Sequence, residues 1–253
     1  MNGTIFALLA VIFVATLIRS AFGFGEALIA VPLLALFLPV ETAAPLAVLL
    51  SITVAVVVVA RDWRKIHFAS AWRLIVATLF GTPAGLLLLL FAAENVVKIV
   101  LALVIISFSS YCLLRRTSVE LKDDRMAWFF GFAAGVLGGA YGMNGPPLAI
   151  YGALRRWTAE RFRATLQGYF LPASLSVLLG YALAGFWTPL VTHYYWLSLL
   201  PALVAIFLGG WLNRRLRGDR FVFFVHAGLI VVGITLLIQA IWNLAFTASI
   251  GDS

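Results

Sequence analysis

Arg19 is the only basic residue in the first 60 positions, and Glu26, seven residues on, is the first acidic one. Between them runs "SAFGFG", and the stretches beyond on both sides are largely apolar. A guanidinium carries a planar fork of donors that suits carboxylate or sulfonate oxygens. A charge set in such surroundings is costly unless it is paired. Three readings of Arg19 follow: a bridge to Glu26, a contact to a bound anion, or a reach to the membrane interface. Glu26 is also the candidate for proton exchange. A second cluster, "YGMNGPP" at 141–147, offers the Asn144 amide and the Tyr141 hydroxyl among glycines and prolines. A helix that starts at such a break presents unpaired N–H groups and a partial positive charge, and glycine lets a ligand approach the backbone. Those starts fall near Ala27 and near Pro146, where proline suits a first turn. The candidate anion-binding residues are therefore Arg19, Gly23, Phe24, Gly25 and Glu26 at the first break. At the second they are Tyr141, Gly142, Asn144, Gly145 and Pro146.

The elements that carry these residues are set by composition. The chain of 253 residues is 63% hydrophobic and 11% charged, with a mean hydropathy of +1.06. Its uncharged runs have membrane-spanning length, so it reads as an all-α polytopic membrane protein. A net charge of +8 in a soluble domain points to nucleic acid, but here the charges lie in short clusters between apolar runs, where topology explains them. The first apolar run, Ile5 to Ile18, lacks a basic leader and a cleavage site and reads as a retained segment. The single cysteine, Cys112, excludes an intrachain disulfide.

Sixteen of the 18 basic residues fall in four clusters, at 61–73, 115–125, 155–163 and 214–220. The positive-inside rule makes all four cytoplasmic, which requires an even number of crossings between them. Residues 74–114 hold two spans, and the 50 uncharged residues of 164–213, roughly 75 Å if helical, need two more. The interval 126–154 has only 29 residues, too few for two crossings of about 20. It fits a re-entrant hairpin whose tip is "YGMNGPP". Irregular backbone at that depth survives only where protein encloses it or it lines a polar cavity.

Sliding the chain on itself by 119 residues sets Gly23 on Gly142, Gly25 on Asn144, Glu26 on Gly145 and Glu41 on Glu160, and a slightly longer offset sets Gly81 on Gly209. The expected plan is two inverted repeats, each a broken or re-entrant helical hairpin followed by three transmembrane helices, giving about 8–10 membrane segments. The first repeat, 1–125, holds hairpin 4–39 and spans 42–60, 74–92 and 96–114. The second, 126–253, holds hairpin 126–155 and spans 164–186, 194–213 and 221–247. An eight-span arrangement with parallel repeats is the alternative, but it strands the cluster at 155–163 or 214–220 on the wrong side.

"GFGEALIAVPLLALFLP" and "GGAYGMNGPPLAIYGALRRWTAERFRATL" resemble the TauE/SafE sulfite-exporter family, in order and at the start of each half. The resemblance implies an integral protein of the bacterial inner membrane that transports a small anion: sulfite, an organosulfonate, thiosulfate or a small carboxylate. Glu26 departs from the family pattern, which carries glycine or an apolar residue there, and leaves substrate and coupling ion open.

Other residues weigh less. Gly131, Gly135 and Gly139, like Gly81 and Gly85, recur every four residues and read as helix-packing positions. Lys98 follows Glu94 by four residues and reads as an interfacial pair. Ser51, Thr53, Tyr169, Ser174 and Ser176 lie within spans, where hydroxyls mostly bond their own backbone; Gln167 is the better candidate to line a site. His67, His193 and His226 have no companions at metal-ligand spacing, and no P-loop or nucleophile elbow is present. No metal, cofactor or catalytic residue is expected. The expected partners are a small anion and the lipid bilayer, without nucleic acid, and a homodimer stays open. The function that fits best is alternating-access transport with the anion between the two tips near the bilayer midplane. An anion channel and a non-transporting scaffold are the alternatives.

Overall fold

The computed structural model describes residues 2–22, 25–62, 68–114, 121, 123–157, 159–213 and 229–243. These form helices α1 (Asn2–Phe22), α2 (Glu26–Leu34), α3 (Val40–Asp62), α4 (Phe68–Phe91), α5 (Glu94–Leu114), α6 (Ala127–Tyr141), α7 (Gly145–Leu154), α8 (Ala159–Leu183) and α9 (Pro189–Asn213). A tenth, α10, covers Leu229–Asn243. No strand occurs among the described residues. Helices α1, α3, α4, α5 and α9 are long and apolar enough to cross a bilayer. Phe80, Phe91, Trp196, Leu200 and Phe207 point outward, as lipid-facing positions do.

Two hairpins interrupt this pattern. With 9 and 10 residues, α2 and α7 reach only about 15 Å, half of a hydrocarbon core of roughly 30 Å. Each turn contains a glycine in the left-handed region, Gly25 at φ 100° and Gly142 at φ 67°, a conformation that costs glycine nothing. At the second tip the Gly142 N–H still donates to the Gly138 carbonyl at 2.8 Å, closing α6.

Each hairpin's first arm packs on a helix of the other half, α1 on α9 and α6 on α4. Along α6, Gly131 lies against Leu74 and Ala77, Gly135 against Thr78 and Gly81, and Gly139 against Thr82 and Gly85. The ascending match means that α4 and α6 run parallel, and a Cβ at any of these glycines would collide with the facing backbone. Gly209 of α9 plays the same part against Leu17 and Ala21 of α1.

The base of the second hairpin is held by Asp124. Its Oδ2 lies 3.3 Å from Arg73 Nη1, and its Oδ1 lies 3.0 Å from Arg155 Nη2 and accepts from the Tyr151 hydroxyl at 2.9 Å. Arg155 also donates to the Leu121 carbonyl at 2.8 Å, and the Leu121 N–H to the Leu154 carbonyl at 2.9 Å. Members of two basic clusters, Arg73 and Arg155, thus meet an acidic residue from the segment of a third at one end of the bundle. Residues 63–67, 115–120, 122 and 214–228, with most of the remaining cluster side chains, lie outside the described residues. Glu94 and Lys98 pair at 2.9 Å at the start of α5.

Candidate functional site

The two breaks meet. A cavity is lined by Arg19, Gly25, Glu26 and Leu28 from the first hairpin and by Gly142, Met143, Asn144, Gly145 and Pro146 from the second. Ser51 of α3 and Phe170 and Ser174 of α8 complete its wall. Of the candidates named above, Gly23 and Phe24 lie outside the described residues, and the side chain of Gln167 is likewise not described. Tyr141 goes elsewhere. Its hydroxyl donates to the Val97 carbonyl at 3.0 Å, so the hydroxyl expected in the cavity instead ties the second tip to α5.

Arg19 and Glu26 are 5% and 2% exposed, burial that neither charge sustains alone. Arg19 Nη1 donates to Glu26 Oε2 at 2.8 Å and to Ser51 Oγ at 2.5 Å. Glu26 Oε1 accepts from Thr16 Oγ1 at 2.7 Å. The guanidinium carbon also stands 5.2 Å from the centre of the Phe170 ring, a cation–π contact. Arg19 Nε and Nη2 make no hydrogen bond to any described residue. Toward the described residues the guanidinium is therefore half committed. One edge holds Glu26 and Ser51, and donors remain on a residue that lines the cavity.

The second tip is neutral, and its amide is oriented by a hydroxyl relay. Thr78 Oγ1 donates to the Gly131 carbonyl at 2.9 Å. The Tyr169 hydroxyl, 2.6 Å from Thr78 Oγ1, must then give its proton to Thr78, leaving its oxygen to accept from Asn144 Nδ2 at 3.3 Å. The relay decides which end of the amide faces Tyr169. Gly138 supplies the seat: a Cβ there would stand 2.7 Å from Asn144 Oδ1 and 2.9 Å from Nδ2.

The sequence reading missed Thr16, Thr78, Gly138 and Phe170, and it set Ser51, Ser174 and Tyr169 aside as span hydroxyls. Thr53 and Ser176 do bond backbone carbonyls of their own helices, at 3.1 Å to Leu49 and 2.7 Å to Ala173. Ser51 accepts from Arg19 instead. Its position carried a signal, since it lies eleven residues from each end of α3, midway through a span and level with a buried charge.

Spanning helices, two hairpins whose second arms are half-length, and a buried ion pair where they meet describe an integral membrane protein. The model of the family Sulfite exporter TauE/SafE matches residues 8–236, and the chain belongs to that family of membrane transporters. No curated relative and no solved structure matches the chain significantly.

Proposed function

We propose that this protein carries a small anion (sulfite, an organosulfonate, thiosulfate or a small carboxylate) across the membrane by alternating access about the cavity between the two tips. The observation that carries the reading is the half-committed guanidinium of Arg19 in a cavity walled by both hairpins. Transport of this kind needs reversible binding and no covalent step.

Depth supports it. Thr78 and Tyr169 each lie ten residues into their helices, roughly 15 Å along at 1.5 Å per residue, and Ser51 sits at the middle of α3. Half the thickness of a hydrocarbon core is about the same distance, so contacts at these residues suit a site near the midplane. The reciprocal packing of α1 on α9 and α6 on α4 favours two inverted repeats, 1–125 and 126–253. The meeting of Arg73, Asp124 and Arg155 at one end agrees with a cytoplasmic side for the loops 61–73, 115–125 and 155–163; the loop 214–220 is assigned there on charge alone. Glu26 is the residue that would couple anion movement to protons.

The test is uptake of labelled sulfite, thiosulfate and acetate into proteoliposomes. Arg19→Ala and Asn144→Ala should each lower the initial rate at least about tenfold in protein that still elutes as folded; Asn144→Ala should melt near the parent, and Arg19→Ala lower, because it strands the buried Glu26 carboxylate. Wild-type rates in both variants would remove the site, and a flux indifferent to an imposed pH gradient would remove proton coupling.

A further inference from the structure

Among the described residues lining the cavity, Arg19 and Glu26 are the two that carry charge. The ligand that Arg19 holds in the structure is thus itself an anion, presented by the chain. Both oxygens of Glu26 are engaged, Oε1 by Thr16 on α1 and Oε2 by Arg19, with Glu26 standing as the first residue of α2 just after the left-handed Gly25. We infer that the Glu26 carboxylate is a tethered competitor for the transported anion: both negative groups draw on the one guanidinium, and this sets how tightly the site holds its cargo. The inference rests on the anion-transport reading.

The physical basis is charge counting. With Glu26 in place, a bound monoanion puts two negative groups against one positive in a site poor in water, where repulsion over a few ångströms is screened far less than in bulk. Ser51, Ser174 and Asn144 can donate hydrogen bonds, but none adds a positive charge. The anion must therefore pull Arg19 partly away from Glu26. The guanidinium can serve both because its planar fork presents separate edges, and among the described residues only Nη1 has a hydrogen-bonding partner. A carrier needs such a limit, because a site that holds its ligand equally well at every stage does not release it. Glu26 supplies the returning partner that displaces the anion from Arg19.

A merely structural bridge predicts the reverse, since loosening Arg19 would then weaken anion binding. The two are separated by titrating the purified full chain with sulfite, thiosulfate and acetate, comparing wild type with Glu26→Gln and Glu26→Asp. Glutamine keeps the hydrogen-bonding shape and loses the charge, so the Kd for the anion that wild type binds should fall about tenfold or more, equivalent to about 1.4 kcal/mol. Exchange of bound for free anion should slow in parallel. Aspartate keeps the charge on a stem one methylene shorter, competes less well, and should bind with intermediate affinity. An unchanged or raised Kd in a folded Glu26→Gln protein overturns the inference and leaves anion transport standing. If the glutamine variant does not fold, an aspartate variant that binds no tighter than wild type overturns it equally. No binding of any of the three anions to wild type or variants overturns both this inference and the anion reading.

Discussion

The two hairpins are built on one plan and place their charge at opposite ends. In the first, the ionic groups sit at the tip, where Arg19 and Glu26 are almost fully buried. In the second the tip is neutral, with Asn144 as its polar group, and the charge gathers at the base. There Asp124 is 38% exposed and joins Arg73 and Arg155. The difference separates two uses of an ion pair. A buried pair at a break is expensive to desolvate and weak evidence for stability, so its presence beside a cavity speaks for a ligand. A half-exposed pair at a helix end costs little, and it fastens the hairpin to α4.

That contrast can be broken most severely at the first tip. Glu26→Ala strands the Arg19 charge, and removing one partner of a buried pair costs about 3–5 kcal/mol. A drop of that size is expected in the free energy of unfolding measured in detergent by chemical denaturation. The double variant Arg19→Met with Glu26→Met should recover most of the loss, because an apolar pair of similar volume removes both desolvation penalties. It should nonetheless remain inactive in anion uptake. If the double variant were as unstable as the single one, the pair would be a structural necessity, and the distinction between tip and base would fall.

A smaller effect is expected from the relay behind the second tip. Tyr169→Phe keeps the ring and deletes the hydroxyl that receives Asn144 Nδ2. The amide is then held by packing on Gly138 alone and can turn its oxygen toward an anion. Loss of one such hydrogen bond is worth about 1 kcal/mol, which corresponds to a severalfold rise in KM for uptake with the maximal rate little changed. A fall in maximal rate at constant KM would mean that Tyr169 matters for motion and not for orienting the amide.

The tips were legible in the sequence because glycine, proline and a lone charge inside an uncharged run violate what a spanning helix needs. That was enough to bring together Arg19, Gly25, Glu26, Gly142, Asn144, Gly145 and Pro146. The walls were less legible. Whether a serine at position 51 or a phenylalanine at 170 faces a cavity depends on how α3 and α8 are rotated against the hairpins, and neighbours distant in the chain decide that rotation. The direction of the Tyr141 hydroxyl depends in the same way on α5, which packs close enough to offer the Val97 carbonyl. The interlocking glycines of α4 and α6 were readable as a packing motif from their spacing of four. Their partners, and the parallel run of the two helices, emerge only from the three-dimensional match of Gly131, Gly135 and Gly139 to successive turns of α4.

The mildest perturbation sharpens the other side of the comparison. Asp124→Asn keeps an acceptor for Tyr151 and removes the charge that faces Arg73 and Arg155. Arg73 is 39% exposed and its contact is long, at 3.3 Å, so solvent screening leaves that half of the node worth little. Arg155 is only 15% exposed and keeps a bond to the Leu121 carbonyl, so its side of the node retains a partner when the carboxylate goes. The expected loss is about 0.5–1 kcal/mol, visible as a small fall in the denaturant midpoint that shrinks as salt is raised. Anion affinity should not move, because the partners that the Asp124 carboxylate has among the described residues, Arg73, Arg155 and Tyr151, do not line the cavity. If affinity did change with Asp124→Asn, the base of the second hairpin would be energetically coupled to its tip, and the hairpin would act as a lever rather than a fixed wall.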